Sequence, residues 1–193
     1  MTQILRNDAE RAVRKLLEFI GEDANREGLQ DTPKRVVSAL MEMTGGLRIN
    51  EEKFLQSVCT TFKAEYDEMV VIKGIPVTSL CEHHLLPFTG VAHVGYIPGH
   101  KKRVIGLSKI PRLIAFYATR PQIQERLTGQ IADALEKLLD PIGLAVWIST
   151  EHQCMSCRGV KVRGTTTDTT VLRGAIKELP EARAEFFNLV RQS

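Results

Sequence analysis

The order of the hydrophobic patterns between residues 68 and 175 constrains the fold more than any other feature of this chain. The segments EMVVIKGIPVTSL and FTGVAHVGYIPG are rich in Val and Ile and are bounded by Gly and Pro, which predicts two strands. The segment from Ser108 to Pro141 predicts two consecutive helices, and LAVWISTEHQC and RGTTTDTTVLRGA predict two more strands. The order ββααββ predicts an α+β fold, an antiparallel four-stranded sheet with two helices on one face.

Capping signals mark the ends of these two helices. Ser108 is a candidate N-cap of the first helix, Pro121 is placed to open the second, and Pro141 is placed to stop it. Upstream, NDAERAVRKLLEFIG and DTPKRVVSALMEMTGG have apolar residues at helical spacing. We therefore expect an N-terminal helical region over residues 1–60 and a sheet-containing domain over residues 61–193.

Composition excludes several classes of protein. The chain has 193 residues, 43% hydrophobic and 25% charged, which is ordinary for a globular protein. No apolar run approaches the roughly 18 residues of a membrane span, and the N-terminus lacks the apolar core of a secretory signal. The net charge of +3 does not indicate nucleic acid as a partner. We expect a cytoplasmic protein with neither membrane nor nucleic-acid partners, in which cysteines are free to bind metal.

The open edges of the predicted sheet indicate self-association. Unpaired strand edges bind other strands unless something covers them. We expect edge-to-edge pairing between subunits, and the alternative is a monomer with protected edges.

Two short motifs about seventy residues apart carry metal-ligand spacing. Cys81 and His84 form C-x2-H, and Cys154 and Cys157 form C-x2-C. Thiolate and imidazole are zinc ligands. The four residues either form a closed, structural Cys3His site, or three of them bind zinc and leave one position for water, as catalytic sites do. Spacing alone leaves both interpretations open.

Two extra histidines favour the catalytic interpretation. His83 and His152 each lie beside a candidate ligand. Imidazole titrates near neutral pH and can move protons next to an activated water, whereas a structural site needs no such group.

Candidate anion-binding residues begin the first predicted helix of the pair. Ser108, Lys109 and Arg112 lie in its first turn, where free N–H groups and the helix dipole attract phosphate. Arg158 and Arg35 can add positive charge. The alternative is a solvated, capped helix start.

Gln124 and Glu125 begin the second predicted helix of the pair. An adjacent amide and carboxylate can bind the edge of a guanine base, with the carboxylate accepting from N1–H and the exocyclic amine. The alternative is the ordinary preference of helix first turns for acidic residues. The chain has no P-loop, so it is not a P-loop nucleotide hydrolase.

Four segments, SLCEHHLLPF, VIGLSKIPR, RPQIQERLT and EHQCMSCRG, resemble the GTP cyclohydrolase I family in this order. The resemblance implies a tunnelling fold whose sheets close into a barrel, with two pentameric rings forming a homodecamer. It also implies conversion of GTP and water to formate and 7,8-dihydroneopterin triphosphate, the entry to folate and pterin synthesis. Relatives with the same fold that open GTP differently, or act on pterin or deazaguanine substrates, remain an alternative.

The resemblance also implies roles for individual residues. Zinc is expected on Cys81, His84 and Cys154, with His83, His152 and Ser108 as catalytic residues. Substrate binding is expected from a larger set, with subunits sharing each site: Gln124, Glu125, Lys109, Arg112, Arg158 and Arg35. Cys157 departs from the family pattern, and we expect it to be a packed bystander.

Overall fold

The computed structural model describes residues 3–63 and 65–191, and two compact units divide the chain, 1–45 and 46–193. The expected domain boundary after residue 60 remains a prediction. Helix α3 (Glu51–Val58) already belongs to the larger unit, because the Phe54 ring stacks on Phe116 at 4.1 Å and the Tyr117 hydroxyl donates to Glu51 at 2.8 Å.

The N-terminal unit contains the two predicted helices, α1 (Gln3–Phe19) and α2 (Thr32–Met43). Arg6 on α1 donates to Ser38 on α2 at 2.7 Å and pairs with Glu10 at 3.0 Å. Pro33 lies in the first turn of α2, where its missing N–H costs no helical hydrogen bond. Both helical predictions are confirmed.

The larger unit contains the predicted strand and helix order together with shorter elements. Its elements after α3 are β1 (Thr61–Lys63), β2 (Val70–Cys81), β3 (Pro87–Ile97), β4 (Arg103–Ile105), α4 (Lys109–Ala118), β5 (Pro121–Gln122), α5 (Gln124–Leu139), β6 (Gly143–His152), α6 (Gln153–Ser156), β7 (Thr166–Gly174), α7 (Ala175–Glu178) and α8 (Pro180–Arg191).

Within the described residues, one sheet has the strand order β5-β2-β3-β6-β7. The four long strands are antiparallel, and the short β5 pairs parallel to β2 at its end. The strands β1 and β4 pair separately. The predicted α+β class and the ββααββ arrangement of the tunnelling fold are confirmed, with β5 as an unpredicted addition.

The core lies between the sheet and helices α4 and α5. Side chains that are fully buried there come from strands β3 and β6 and from both helices, among them Phe88, Val94, Leu113, Ile131 and Ile148. The opposite face of the sheet is partly covered by α8, which the sequence analysis did not predict. Phe186 on α8 is fully buried against Gly95 of β3, where an added Cβ would approach the Phe186 ring to 2.6 Å.

The ends of α4 and α5 differ in part from the sequence prediction. Ser108 occupies the N-cap position of α4 but makes no side-chain capping hydrogen bond. Pro121 does not open α5: it begins the strand β5, and the helix starts at Gln124. The helix ends as predicted before Pro141, with Asp140 in the left-handed conformation.

The strand register brings three segments of the chain together at one end of the sheet. Leu80 pairs with Pro87 across the β2–β3 turn, and Phe88 pairs with His152 at the end of β6. The turn after β2 and the start of β3 therefore lie beside the end of β6, although about seventy residues separate them from it in sequence.

The helices of the described residues are all too short or too polar to span a membrane.

Candidate metal and catalytic site

The turn between β2 and β3 presents Cys81 and His84 together. The carbonyl of Cys81 accepts from the backbone N–H of Leu85 at 2.8 Å and from that of His84 at 3.3 Å, which is a helical turn. Leu85 closes the turn at a positive φ of 53°, and the chain then returns into β3. Residues three apart in a helical turn lie on one side, so the C-x2-H spacing places both ligand atoms on the same side.

Cys154 lies in the short helix α6 that directly follows β6. The backbone N–H of Cys157 bonds to the carbonyl of Gln153 at 3.0 Å, so this C-x2-C segment is also helical. Cys157 is exposed and lines a surface cavity with Glu151 and Arg163.

The ligand atoms of Cys81, His84 and Cys154 all lie within 4.8 Å of one another. The distance from Cys81 Sγ to His84 Nδ1 is 3.7 Å. With Zn–S near 2.3 Å and Zn–N near 2.0–2.1 Å, tetrahedral geometry separates sulfur and nitrogen by about 3.6 Å. Among the described residues, Cys157 is not part of this group. The donor set and its spacing therefore fit a tetrahedral ion with three protein ligands.

The two cysteine sulfurs interact directly. Burial raises the pKa of the Cys154 thiol, its hydrogen bond with Cys81 raises it further, and the Arg158 guanidinium opposes the rise. A cation bound between the sulfurs would favour both thiolates, because a positive charge stabilises the deprotonated forms.

His83 lies beside the group without belonging to it. Its Nδ1 is 3.8 Å from Cys81 Sγ, but among the described residues the metal group includes only its neighbour His84. The ring is exposed, and its Nε2 faces the Glu82 carboxylate at 3.9 Å. Glu82 is in turn ion-paired with Arg126. His83 is therefore placed near the metal group with one ring nitrogen facing solvent and a carboxylate.

His152 is the last residue of β6, two residues before Cys154. Its ring stacks on Phe88 with centroids 4.7 Å apart and an interplanar angle of 10°. Burial lowers the pKa of His152 below its ordinary value, and the Glu125 carboxylate opposes this shift. The imidazole is therefore half-buried, held in plane and close to a carboxylate.

Gln124 is buried and its side chain is bonded within the protein. Its amide nitrogen donates to the carbonyl oxygens of Ile148 at 3.0 Å and Thr167 at 2.8 Å. Its oxygen accepts from the Thr150 hydroxyl at 2.6 Å and lies 2.8 Å from His152 Nε2. The side-chain amide that we expected to bind guanine thus has its oxygen facing Thr150 and His152.

The structure places the remaining candidate residues at several locations. Glu125 is exposed at the start of α5 and Arg158 is exposed after α6, and both act on site residues electrostatically. Ser108, Lys109 and Arg112 lie in the first turn of α4, and no hydrogen bond among the described residues joins them to the metal group. Arg35 lies in the N-terminal unit, on α2, where it pairs with Asp31 at 3.1 Å.

Sequence reasoning missed Phe88 and Thr150. Phe88 looked like an ordinary core residue, and its stacking partner becomes visible only through the β3–β6 register. Thr150 lies two residues before His152, and strand alternation places both on one face. That alternation was the one signal that could have indicated its role.

Comparison with known proteins agrees with this geometry. Residues 9–191 match the family model described as GTP cyclohydrolase I. The protein named GTP cyclohydrolase 1 from Mycolicibacterium vanbaalenii is 53% identical over 182 residues, covering 94% of this chain and 89% of the relative. The protein of the same name from Mycobacteroides abscessus is 52% identical over 185 residues, covering 96% of this chain and 89% of the relative.

Among solved structures, an archaeosine synthase QueF-Like protein in the apo form matches with a TM-score of 0.45 at 16% identity, covering 57% of this chain and 97% of that one. The family match spans nearly the whole chain and includes the Cys81, His84 and Cys154 group. This chain belongs to the GTP cyclohydrolase I family.

Proposed function

We propose that this protein is a zinc-dependent GTP cyclohydrolase that converts GTP and water to formate and 7,8-dihydroneopterin triphosphate. The observation that carries the proposal is the group of Cys81, His84 and Cys154 with His83 and His152 beside it, in a chain of this family. Zinc, when bound by these three ligands, supplies Lewis-acid activation of water.

The first half of the reaction opens the imidazole ring of guanine. Water adds to C8, the C8–N9 bond breaks, and a second water releases C8 as formate from the resulting formamide on N7. His152 is assigned to protonate N7, since it is the imidazole beside the metal group that is held in plane by Phe88. His83, with its exposed ring, is assigned to exchange protons with solvent during these steps.

The second half rebuilds a six-membered ring. The ribose opens, its C2′ becomes a carbonyl by an Amadori rearrangement, and the N7 amine condenses with that carbonyl with loss of water. The two waters consumed and the one released leave a net uptake of one water. Ser108, exposed at the start of α4, is assigned to the ribose in this half.

Substrate binding is assigned to charged residues around the site. The exposed Glu125 carboxylate is proposed to accept from N1–H and the exocyclic amine of guanine. The triphosphate is assigned to Lys109, Arg112 and Arg158, with Arg35 contributed by a neighbouring subunit. Lys109 and Arg112 lie in the first turn of α4, where the helix dipole favours anions. Gln124 was expected in the guanine set, and the hydrogen bonds of its side chain support a different role.

The assembly, the cellular location and the domain limits are part of the same proposal. We propose a homodecamer of two pentameric rings, and the strand β7 offers a long edge for pairing with another subunit. We propose that residues 61–193 form the catalytic domain, that residues 1–60 form a helical region, and that the enzyme works in the cytoplasm at the first step of tetrahydrofolate or pterin synthesis.

One experiment tests the reaction. Zinc-loaded protein is incubated with GTP, and formate release and pterin fluorescence are followed in parallel, with His152→Ala as the comparison. We expect both products from the wild type and a loss of about 10²–10⁴-fold in the variant. Formate without a pterin would contradict the assignments in the second half. Neither product, from protein that holds zinc, would contradict the proposed function.

A further inference from the structure

The hydrogen bonds of Gln124 fix the orientation of its side-chain amide. On one side the amide faces the carbonyl oxygens of Ile148 and Thr167, which can only accept hydrogen bonds. The group on that side must therefore be the NH₂, and the Thr169 hydroxyl oxygen lies 3.1 Å from the same nitrogen. It follows that the amide oxygen occupies the other side, which faces Thr150 and His152.

The orientation of this amide determines where His152 carries its ring proton. The amide oxygen lies 2.8 Å from His152 Nε2. An unprotonated Nε2 would direct its lone pair at the lone pairs of that oxygen, whereas a protonated Nε2 donates a hydrogen bond of ordinary length. Flipping the imidazole ring by 180° would instead place a ring carbon 2.8 Å from the amide oxygen, and this distance is too short for a C–H contact. Neutral His152 is therefore the Nε2–H tautomer.

The site offers little freedom to escape this arrangement. Gln124 is 1% exposed, and both its polar atoms have partners on β6 and β7. Phe88, which is fully buried, holds the plane of the His152 ring. Rotation of the amide would bring its oxygen against two carbonyls, and rotation of the imidazole would break the stack on Phe88.

We propose that Gln124 is a positioning residue that holds His152 as the Nε2–H tautomer and leaves Nδ1 as the ring nitrogen that exchanges protons with the substrate. The tautomer rests only on the contacts of Gln124 and His152, whereas the consequence for catalysis rests on the proposed function. In this proposal Gln124 acts through His152, and its side chain does not hydrogen-bond to the edge of the guanine base.

The tautomer can be measured without the reaction. The zinc-loaded protein is labelled with ¹⁵N-histidine, and the ring nitrogens are observed by NMR near pH 8, without GTP. The resonances of His152 are those that disappear in His152→Ala. We expect the wild-type His152 to show an unprotonated Nδ1 and a protonated Nε2. A proton on Nδ1 instead would overturn the proposal, whatever the variants do.

Two matched variants separate positioning from general structural support. Gln124→Met removes the acceptor that faces His152. Gln122→Met makes the same change at an equally buried glutamine, 1% exposed, whose side chain bonds to Tyr117, Gln130 and Arg126 and does not bond to His152. We expect the shift to mixed tautomers in Gln124→Met alone. An unchanged His152 spectrum in Gln124→Met would show that another group holds the tautomer.

Kinetics with GTP then test the consequence for catalysis. If Gln124 positions His152, Gln124→Met lowers kcat by about 100-fold, the scale of a misplaced catalytic group, and leaves KM for GTP within a few-fold. A rise in KM with unchanged kcat would instead mean that Gln124 binds substrate, and the proposal would fail. An inactive wild type with the expected ring-nitrogen spectrum would refute the proposed function and leave the tautomer assignment intact.

Discussion

Phe88 and His152 lie opposite each other on neighbouring strands, and their rings stack at 4.7 Å with an interplanar angle of 10°. The Phe88 side chain is fully buried, so water does not compete with it for contact with the imidazole. A residue that looks like ordinary core is therefore also the support of the candidate catalytic histidine.

Replacing this support should affect activity beyond its effect on stability. We expect Phe88→Leu to lower the free energy of unfolding by about 1–2 kcal/mol and kcat by about tenfold, because the imidazole loses its stacking partner. Phe186→Leu is the control, since Phe186 is equally buried on the opposite face of the sheet. Urea unfolding and GTP turnover measure both. Equal losses of kcat in the two variants would show that Phe88 has no special role.

The two adjacent histidines should differ in their effect on metal content. We expect His84→Ala to lose bound zinc, because it removes one of three ligand atoms. We expect His83→Ala to keep zinc and to lose about 10²-fold in turnover, as a proton-transfer group does. Metal per chain is measured by inductively coupled plasma mass spectrometry. A zinc-free His83→Ala protein with fully loaded His84→Ala would reverse the two assignments.

Cys154 and Cys157 should differ in the same way. The helical turn of α6 would allow residues three apart to face one ion, yet the metal group of the described residues contains only Cys154. We expect Cys157→Ala to keep zinc and activity and Cys154→Ala to lose both. Loss of zinc from Cys157→Ala would mean that the site is a closed one with four protein ligands.

His93 should make the protein less stable in weak acid. Burial lowers the pKa of His93 below its ordinary value of 6.5, and Lys73 lowers it further. As the pH falls, the unfolded chain takes up this proton before the folded one. The stabilisation is therefore complete above pH 6.5 and is lost as the pH falls through the window between 6.5 and the lowered pKa.

A substitution at His93 should flatten this dependence. His93→Gln keeps an acceptor for the backbone N–H of Gly74, which bonds to His93 Nδ1 at 3.3 Å. We expect its urea midpoint to fall less steeply than the wild-type midpoint between pH 7 and pH 5. Parallel curves for the two proteins would show that His93 does not contribute.

Two glycines should respond oppositely to the same substitution. An added Cβ at Gly90 of β3 would lie 2.0 Å from the backbone oxygen of Ser149 on β6, the strand that carries His152. We expect Gly90→Ala to cost about 3 kcal/mol or more. Gly129, in α5, has nothing within 4 Å of such a Cβ, so Gly129→Ala should stabilise by about 0.5–1 kcal/mol. Thermal unfolding that ranks the two variants the other way would contradict this account.

The strands and helices that carry the site were predictable because their patterns are local. Val and Ile runs bounded by Gly and Pro predicted β2 and β3, and Pro141 marked the end of α5. Pro121 misled the prediction, because the same residue that suits a helix start also suits an edge strand, and pairing with Leu80 decided between them. Such pairing is a tertiary interaction that a single segment does not reveal.

In the candidate site, too, local patterns were predictable and tertiary contacts were not. The C-x2-H and C-x2-C motifs indicated the candidate ligands Cys81, His84 and Cys154 together with Cys157, because ligand spacing in a turn is a local property. The hydrogen bonds of Gln124 could not be predicted, since its partners Ile148, Thr150 and Thr167 come from strands β6 and β7, more than twenty residues away. A polar residue in a helix first turn gives no sign of which distant groups it will meet.

Cys81 ends β2 and Cys154 follows β6, and these two strands do not pair with each other, because β3 lies between them. An ion held by both sulfurs therefore acts as a cross-link that spans β3, and it exists only when all three strands are assembled. Binding energy at such a site is also folding energy, so an ion in excess of its Kd would raise stability by mass action. Chelation should accordingly speed amide exchange first at the end of the sheet that contains Leu85–Phe88. The opposite end of the strands, near Val70 and Gly143, should stay protected for longer.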